Sequence, residues 1–383
     1  LTSKKDLKIT IAGSTIPFTG LKRQYNNLRE EILSATDAVF SSGQLMNGPY
    51  TDQFESWLAK KNKASYAVTV HSGTSALEAI AEYCKEQTHQ KYPPRVLIPS
   101  FTFAATANAF IRAGWEVYFI DTDSNGVMDL DKIPDISYQA VVLVGLYGAS
   151  ISHLAATSMW RRWNLRDTIV IEDAAQHWLS DNCNRITVSA ISFDPMKNLP
   201  CYGNGGAVVT DNPDLTEYIK KWRQHGSPSN PVSVGGLSAG TNSRMSELDC
   251  SLMLVKSQYI DQWQARRRQI GTYWQQRLTD TPARCLSARN SDSHAFHKFV
   301  IDVDNRDRLR LQLEERKIDT KIHYMQPLHE ISAYQQYSGP NILSCASALA
   351  RRVISLPIYP ELTDSEVEYI IDQVIDCVSQ KHS

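Results

Sequence analysis

The chain has 383 residues, of which 42% are hydrophobic and 21% charged, and its formal net charge is −1. That length exceeds one simple core and implies two domains, while near-neutrality argues against electrostatic binding to nucleic acid or an acidic membrane surface. Seven scattered cysteines with no C-x-x-C pair argue against a disulfide framework or a metal site, and with no apolar span or leader-like run the expectation is a cytoplasmic protein.

Taken in chain order, residues 1–20 read as an extended segment lying on something else. The apolar spacing of Leu28, Ile32, Leu33, Val39 and Phe40 predicts a helix over 21–40, stopped by Gly43. A turn at Gly48-Pro49 precedes a second helix over 51–60. Tyr66 to Val70 then reads as a strand, and His71 to Leu77 carries it into a helix that runs through Cys84. Small residues between a strand and a helix leave backbone N–H groups aimed at open space, with the helix dipole behind them. Gly73 allows close approach of a ligand, and Ser72, Thr74 and Ser75 add hydroxyl donors; the plainer reading of the same residues is an ordinary helix cap.

Strands follow at 95–99, 116–120, 140–145 and 168–171, with a helix of small residues over 104–113. Phe101 and Phe103 alternate before that helix, so one can face a ligand while the other faces the core. The strand at 168–171 runs into Glu172 and Asp173. A carboxylate at the C-terminal end of a buried parallel strand sits where open α/β sheets bind ligands. Asp173 is the better placed of the two, because Glu172 points to the opposite face if the strand continues.

Val188 to Phe193 is a further buried strand, ended by Asp194 and Pro195, and Lys197 follows two residues later within an apolar, glycine-rich frame (Gly203, Gly205, Gly206). A lone lysine beside a strand is ordinarily a solvated charge. One deprived of water has a lowered pKa and a nucleophilic free amine, which suits a Schiff base. A strand at 207–210 and a helix at 216–223 come next, then a polar loop over 226–240 and one long helix over 245–268. Strands at 295–303, 320–324 and 353–356, with helices at 306–316, 346–352 and 363–377, make a smaller unit. The expected fold is α/β, a mostly parallel sheet with helices on both faces, over residues 1–262, plus a smaller C-terminal α+β domain over 263–383.

With these residues in hand, the chain resembles the DegT family of nucleotide-sugar aminotransferases, pyridoxal 5′-phosphate enzymes with the aspartate aminotransferase type of fold. The resemblance runs from Gly43 to Pro49 (G-x-x-x-x-G-P) through Phe54-Glu55 to Leu356-Pro357-x-Tyr359-Pro360, and is most specific at SFDPMKNLPCYGNGG. It implies that Lys197 holds the cofactor covalently and moves the proton at the substrate carbon. It implies that Ser192, Gly73 and Thr74 hold the cofactor phosphate. The EDAAQ segment places Asp173 on the ring nitrogen and Gln176 near the ring hydroxyl, and Phe103 matches the stacking position. Gly240-Thr-Asn-Ser-Arg244 resembles the loop whose asparagine, here Asn242, reaches the neighbouring subunit's cofactor phosphate, which makes a homodimer with shared active sites. His323, Tyr324 and His329 match an HY-x-x-PLH motif beside the sugar. The implied substrates are L-glutamate and a nucleotide-linked keto sugar, with the 3-keto position favoured over the 4-keto.

The sequence departs from the family in continuing EDAAQ with His177-Trp178-Leu179, and in having phenylalanine rather than tryptophan at the stacking position. The alternatives within the fold are a sugar dehydratase, which would replace Lys197 with histidine, and a non-catalytic regulatory protein, which would have lost Lys197 or Asp173. Both residues are present.

Overall fold

In a computed structural model the described residues are 15–88, 92–151, 163, 168–180, 188–227, 239–286, 293–337 and 342–380. Of the expected N-terminal extended segment, residues 1–14 lie outside that set, as do residues 228–238 of the expected polar loop.

The chain begins with α1 (Leu21–Ser42), whose Leu28, Ile32 and Val39 form a buried stripe and whose end is capped by Gly43 at φ 68. Helix α2 (Pro49–Lys61) starts on a proline, which needs no hydrogen-bond partner for a missing N–H there. Seven strands then form one sheet: β1 (Tyr66–Val70), β2 (Arg95–Pro99), β3 (Glu116–Ile120), β4 (Ala140–Val144), β5 (Ile169–Asp173), β6 (Val188–Ser192) and β7 (Gly206–Thr210), in the spatial order β1-β7-β6-β5-β4-β2-β3. All pairs from β3 to β6 are parallel, and β7 runs antiparallel to both of its neighbours.

Both faces of this sheet are covered. Ala190 and Val208 point to a core shared with α3 (Gly73–Gln87) and α4 (Ala104–Arg112). Their neighbours Ile191, Ala207 and Val209 point the other way, onto Leu28, Phe54 and Leu58 of α1 and α2. A period of two with apolar residues on both sides is what a strand buried between two helical layers requires. Helix α5 (Pro213–Trp222) adds Leu215, Ile219 and Trp222 to the first of these cores, and no helix of the described residues is long and apolar enough to cross a membrane.

The long helix expected over 245–268 is two helices, α6 (Glu247–Ser257) and α7 (Ile260–Leu278). The break at Gln258 and Tyr259 carries no glycine or proline. There Tyr259 stacks on Trp263, with ring centroids 5.9 Å apart, and donates from its hydroxyl to Glu31. The change of direction lets one continuous run serve two cores. Met253, Ile260 and Trp263 pack with the first unit, whereas Ile270, Trp274 and Leu278 pack with the second. The expected boundary at 262/263 thus falls inside α7.

The second unit has a three-stranded sheet, β8 (Arg284–Cys285), β9 (Phe299–Asp302) and β10 (Val353–Leu356), in the order β10-β9-β8 with antiparallel pairing. Helices α8 (Arg306–Glu315), α9 (Ser344–Arg352) and α10 (Asp364–Ser379) complete it, the last opened by a Thr363–Glu366 capping box. Two expected strands are corrected. The run 295–303 pairs in the sheet only at 299–302, because Ala295 N–H donates to the Gly148 carbonyl and Lys298 N–H to that of Tyr147. The run 320–324 makes a single bridge, Lys321 with Ser355, before the chain leaves to carry His323 and Tyr324 towards the first unit. The N-terminal segment also docks here, since Ile16 pairs with Ile318 and is buried in the second core.

Candidate active site

The C-terminal ends of β1, β5 and β6 lie along one edge of the large sheet, and register explains how distant residues meet there. Gly206, at the start of β7, pairs with Val70 on one side and Ser192 on the other, so the ends of β1 and β6 are level. A Cβ on Gly206 would stand 2.3 Å from the carbonyl carbon of Ser72, and one on Gly73 would stand 2.7 Å from Cβ of Ser192. Only glycine at both positions lets the first turn of α3 press against the end of β6. Ser72 caps that helix by accepting from Ser75 N–H at 3.1 Å, which leaves the N–H groups around Gly73 and Thr74 directed outward. The result is a cradle of hydroxyls and amides at a helix N-terminus, the right chemistry for an anion such as a phosphate.

Asp173 is the last residue of β5, opposite Ala190. Its carboxylate accepts from Thr106 Oγ1 at 2.8 Å and from Ala175 N–H at 3.2 Å, and it is 6% exposed. Glu172 points to the other side, as the period of two requires, where it meets His177 Nε2 at 2.7 Å and Ser189. Gln176 accepts from Tyr147 N–H at 2.8 Å and reaches the Tyr324 hydroxyl at 3.4 Å. The unusual Trp178 and Leu179 are buried, Trp178 edge-on to Phe193 and to Trp57.

Lys197 stands in a tight turn rather than on a strand. Its N–H donates to the Asp194 carbonyl at 2.8 Å, and Met196 N–H donates to the Asp194 side chain at 2.9 Å. Phe193, fully buried against Phe54, anchors the turn from below. Burial lowers the Lys197 pKa, and the charges of Asp173 and Asp194 pull it back only in part. A free amine is thereby more accessible than on a solvated lysine.

These groups line one cavity of about 310 Å³. It brings together nine of the residues singled out from sequence: Gly73, Thr74, Phe103, Asp173, Gln176, Ser192, Lys197, His323 and Tyr324. Phe101 is fully buried and Phe103 is 55% exposed at the cavity, so the alternation read from the sequence separates core from site. His323 Nδ1 lies 2.8 Å from Ser355 Oγ, and burial beside Lys298 and Lys197 pushes its pKa down to about 3, so it is a neutral imidazole.

Two sequence-derived residues fall outside this cavity. His329 bonds Ser100 Oγ at 3.1 Å and Ser347 Oγ at 3.3 Å, joining β2 to α9, and is not part of the wall. Asn242 is exposed, bridged to Gln224 and contacted by Arg244 at 3.3 Å, and it too is absent from the wall. Sequence reasoning missed Lys298, His297 and Tyr147. The first two line the cavity, while Tyr147 bonds Gln176 and the His323 carbonyl from a left-handed backbone at φ 61. The one signal for Tyr147 is its place between Gly145 and Gly148 just after a buried strand; a strained residue there is a mark of a site.

The residues present fit pyridoxal 5′-phosphate: an anion cradle, a carboxylate in the floor, a ring-sized aromatic at the rim, and a lysine of lowered pKa. A model of the DegT/DnrJ/EryC1/StrS aminotransferase family matches residues 26–375. The erythromycin biosynthesis sensory transduction protein EryC1 of Saccharopolyspora erythraea is 34% identical over 93% of this chain and 98% of its own length. The dTDP-3-amino-3,4,6-trideoxy-alpha-D-glucose transaminase of Streptomyces venezuelae is 32% identical over 94% of this chain and 95% of that protein. Among solved structures, S. venezuelae DesV in complex with a ketimine intermediate superposes with a TM-score of 0.88 at 30% identity, covering 96% of this chain and all of that one.

Proposed function

Because the chain belongs to the DegT/DnrJ/EryC1/StrS aminotransferase family, and is a transaminase that works with pyridoxal 5′-phosphate, we propose that it moves an amino group from L-glutamate to a keto-deoxy sugar carried on a nucleoside diphosphate. The observation that carries the reading is the meeting of Lys197, Asp173 and the Gly73–Ser192 cradle in one cavity. Amination at the sugar 3-position is favoured because the S. venezuelae relative is named for a 3-amino product. Its pathway role is the making of an amino sugar for a surface polysaccharide or a secondary metabolite, in the cytoplasm.

When bound, the cofactor supplies an electron sink for the substrate carbon that loses its proton. The chain's own residues do the rest. The Gly73–Thr74 amides and Ser192 would hold the phosphate, and Asp173, fixed by Thr106 and Ala175 N–H, would serve the ring nitrogen. Lys197 would hold the cofactor until the donor binds, and its uncharged amine would then take the proton from Cα and return it on the far side of the transfer. Phe103 would cover the ring, and Gln176 and Tyr324, bonded to each other, would serve the ring hydroxyl. The keto sugar retraces the same proton movements in reverse.

The working unit is a homodimer. Asn242 is exposed and does not reach its own cavity, and Phe40, Leu45 and Met46 together leave apolar surface exposed at the end of α1. A two-fold partner would cover such surface and bring its own Asn242 to the phosphate. The name of the EryC1 relative favours a second reading, a regulatory protein. That role needs neither a lysine of lowered pKa nor a carboxylate in the floor, and both are in place. Incubating the purified protein with L-glutamate and a panel of nucleotide-linked 3-keto and 4-keto sugars, with mass detection, tests the assignment. A mass change that replaces the ketone oxygen with an amine on a 3-keto sugar is expected, and no amination of any sugar nucleotide would refute it.

A further inference from the structure

The reaction as described uses one of two amines in the cavity. The other is Lys298, the residue before β9, which lines the same cavity as Lys197. Its side chain is 5% exposed, yet its Nζ makes no ion pair or hydrogen bond with any described residue. The single favourable contact is with the ring face of Phe18, 4.9 Å from Nζ to the centroid. Burial holds its pKa well below the ordinary lysine value, Lys197 and Arg267 repel its charge, and only Asp194 draws the other way. A buried amine with so little in return is costly to keep, and a methionine or leucine would fill the same space without that cost. Such a group persists where a ligand brings its missing partner.

The chemistry of the cavity says which partner. Lys197 and Lys298 are the only lysine or arginine side chains in its wall among the described residues, and His323 and His297 are held neutral by burial. Lys197 is committed to the proton at the reacting carbon. An amino-acid donor carries its α-carboxylate one bond from that carbon, whereas a sugar nucleotide carries its charge on the diphosphate, a sugar ring away from the ketone. We propose that Lys298 binds the α-carboxylate of the amino-acid donor, a role that rests on the aminotransferase reading above. A lysine suits two alternating substrates better than an arginine does. It is charged against the carboxylate in one half-reaction, and can lose a proton and accept from a sugar hydroxyl in the other.

The test uses the holoenzyme and Lys298→Met, which keeps the length of the stem and removes the charge. Mixing with L-glutamate or L-glutamine, without any sugar, and following the cofactor's visible band gives a donor affinity and a limiting rate. Lys298→Met is expected to bind both donors, and 2-oxoglutarate, at least tenfold more weakly, with its cofactor band and its cofactor retention on dialysis unchanged. Lys298→Arg is expected to recover part of the loss. Unchanged donor affinity in Lys298→Met overturns the proposal. So does a loss confined to glutamate, which would assign the side-chain carboxylate, or a loss of cofactor with donor affinity intact, which would assign Lys298 to the cofactor. A wild-type protein whose band responds to no amino acid refutes the donor reading itself, and is thereby told apart from a failure at Lys298.

Discussion

The two ends of the cavity differ in how much one chain provides. At the closed end Asp173, Gln176 and Ser192 are each at most 7% exposed and bonded or pressed against their own chain. At the open end Phe103 is 55% exposed, and Asn242, outside the wall, faces outward. Chemistry that is the same for every substrate is built rigidly from strand ends, where hydrogen bonds fix each side chain. Recognition, which must change from one substrate to another, falls to the exposed rim, which the proposed partner chain would complete. The difference teaches that catalysis and specificity in this fold rest on different kinds of structure.

Breaking the closed end should have the largest effect. Lys197→Ala removes the only amine in the turn, so the visible absorbance and all turnover should vanish; full activity in that variant would refute the mechanism. Asp173→Asn can still accept from Ala175 N–H and can turn its amide N–H towards Thr106 Oγ1, but it lacks the charge. It should retain cofactor and lose at least about a hundredfold in turnover, read as kcat at saturating donor. Gly73→Ala is a subtler break, because a Cβ there would stand 2.7 Å from Cβ of Ser192 and one segment must move. Overpacking of this kind costs about 1–3 kcal/mol, and cofactor should be lost faster on dialysis while the thermal midpoint of the apoprotein falls modestly.

The smallest effect sharpens the contrast by way of pH. His294 and His297 are buried, with His294 pushed down to about 3 and His297 well below its ordinary value, burial being the chief cause of both. Their folded pKa lies below the unfolded one of about 6.5, so on acidification the unfolded chain takes up protons that the native chain refuses. Their stability contribution is whole above about pH 6.5 and is lost as pH falls towards 3, by up to about 1.4 kcal/mol per unit for each. Urea unfolding at pH 7.5 and pH 5 should show the drop. His294→Asn, which can still accept from Phe296 N–H, should reduce it; a drop of unchanged size would assign the effect elsewhere.

The sequence was legible where local chemistry and global position agree. Seven strands of the large sheet fall within a residue or two of where alternation and turn residues put them, and Asp173 could be told from Glu172 by side-chain direction alone. The lysine turn was legible because Asp194-Pro195 and three glycines leave few other readings. What escaped is set by tertiary contacts. The break at Gln258 and Tyr259 answers to two separate cores, not to a helix stop signal, and the two-residue strand Arg284–Cys285 is too short for any pattern. Lys298 sits in a stretch that reads as an alternating strand with a solvated charge, and nothing nearby reveals that it faces a cavity. For His329 the resemblance alone points to the substrate; in the fold its side chain bonds Ser100 and Ser347 and so ties β2 to α9.

The contrast between the two ends is tested most directly by mixing two damaged proteins. In the proposed homodimer, Lys197→Ala would break the closed end of its own site and Asn242→Ala the mouth of the partner's site. A hybrid dimer therefore has one site with both lesions and one with neither. With subunit exchange confirmed, an equal mixture should recover about a quarter of wild-type conversion of the visible band by L-glutamate, since half the dimers are hybrids with one sound site of two. Recovery to that level is the predicted result. Conversion no greater than that of the two parents would contradict the account, and would mean that Asn242 serves its own chain.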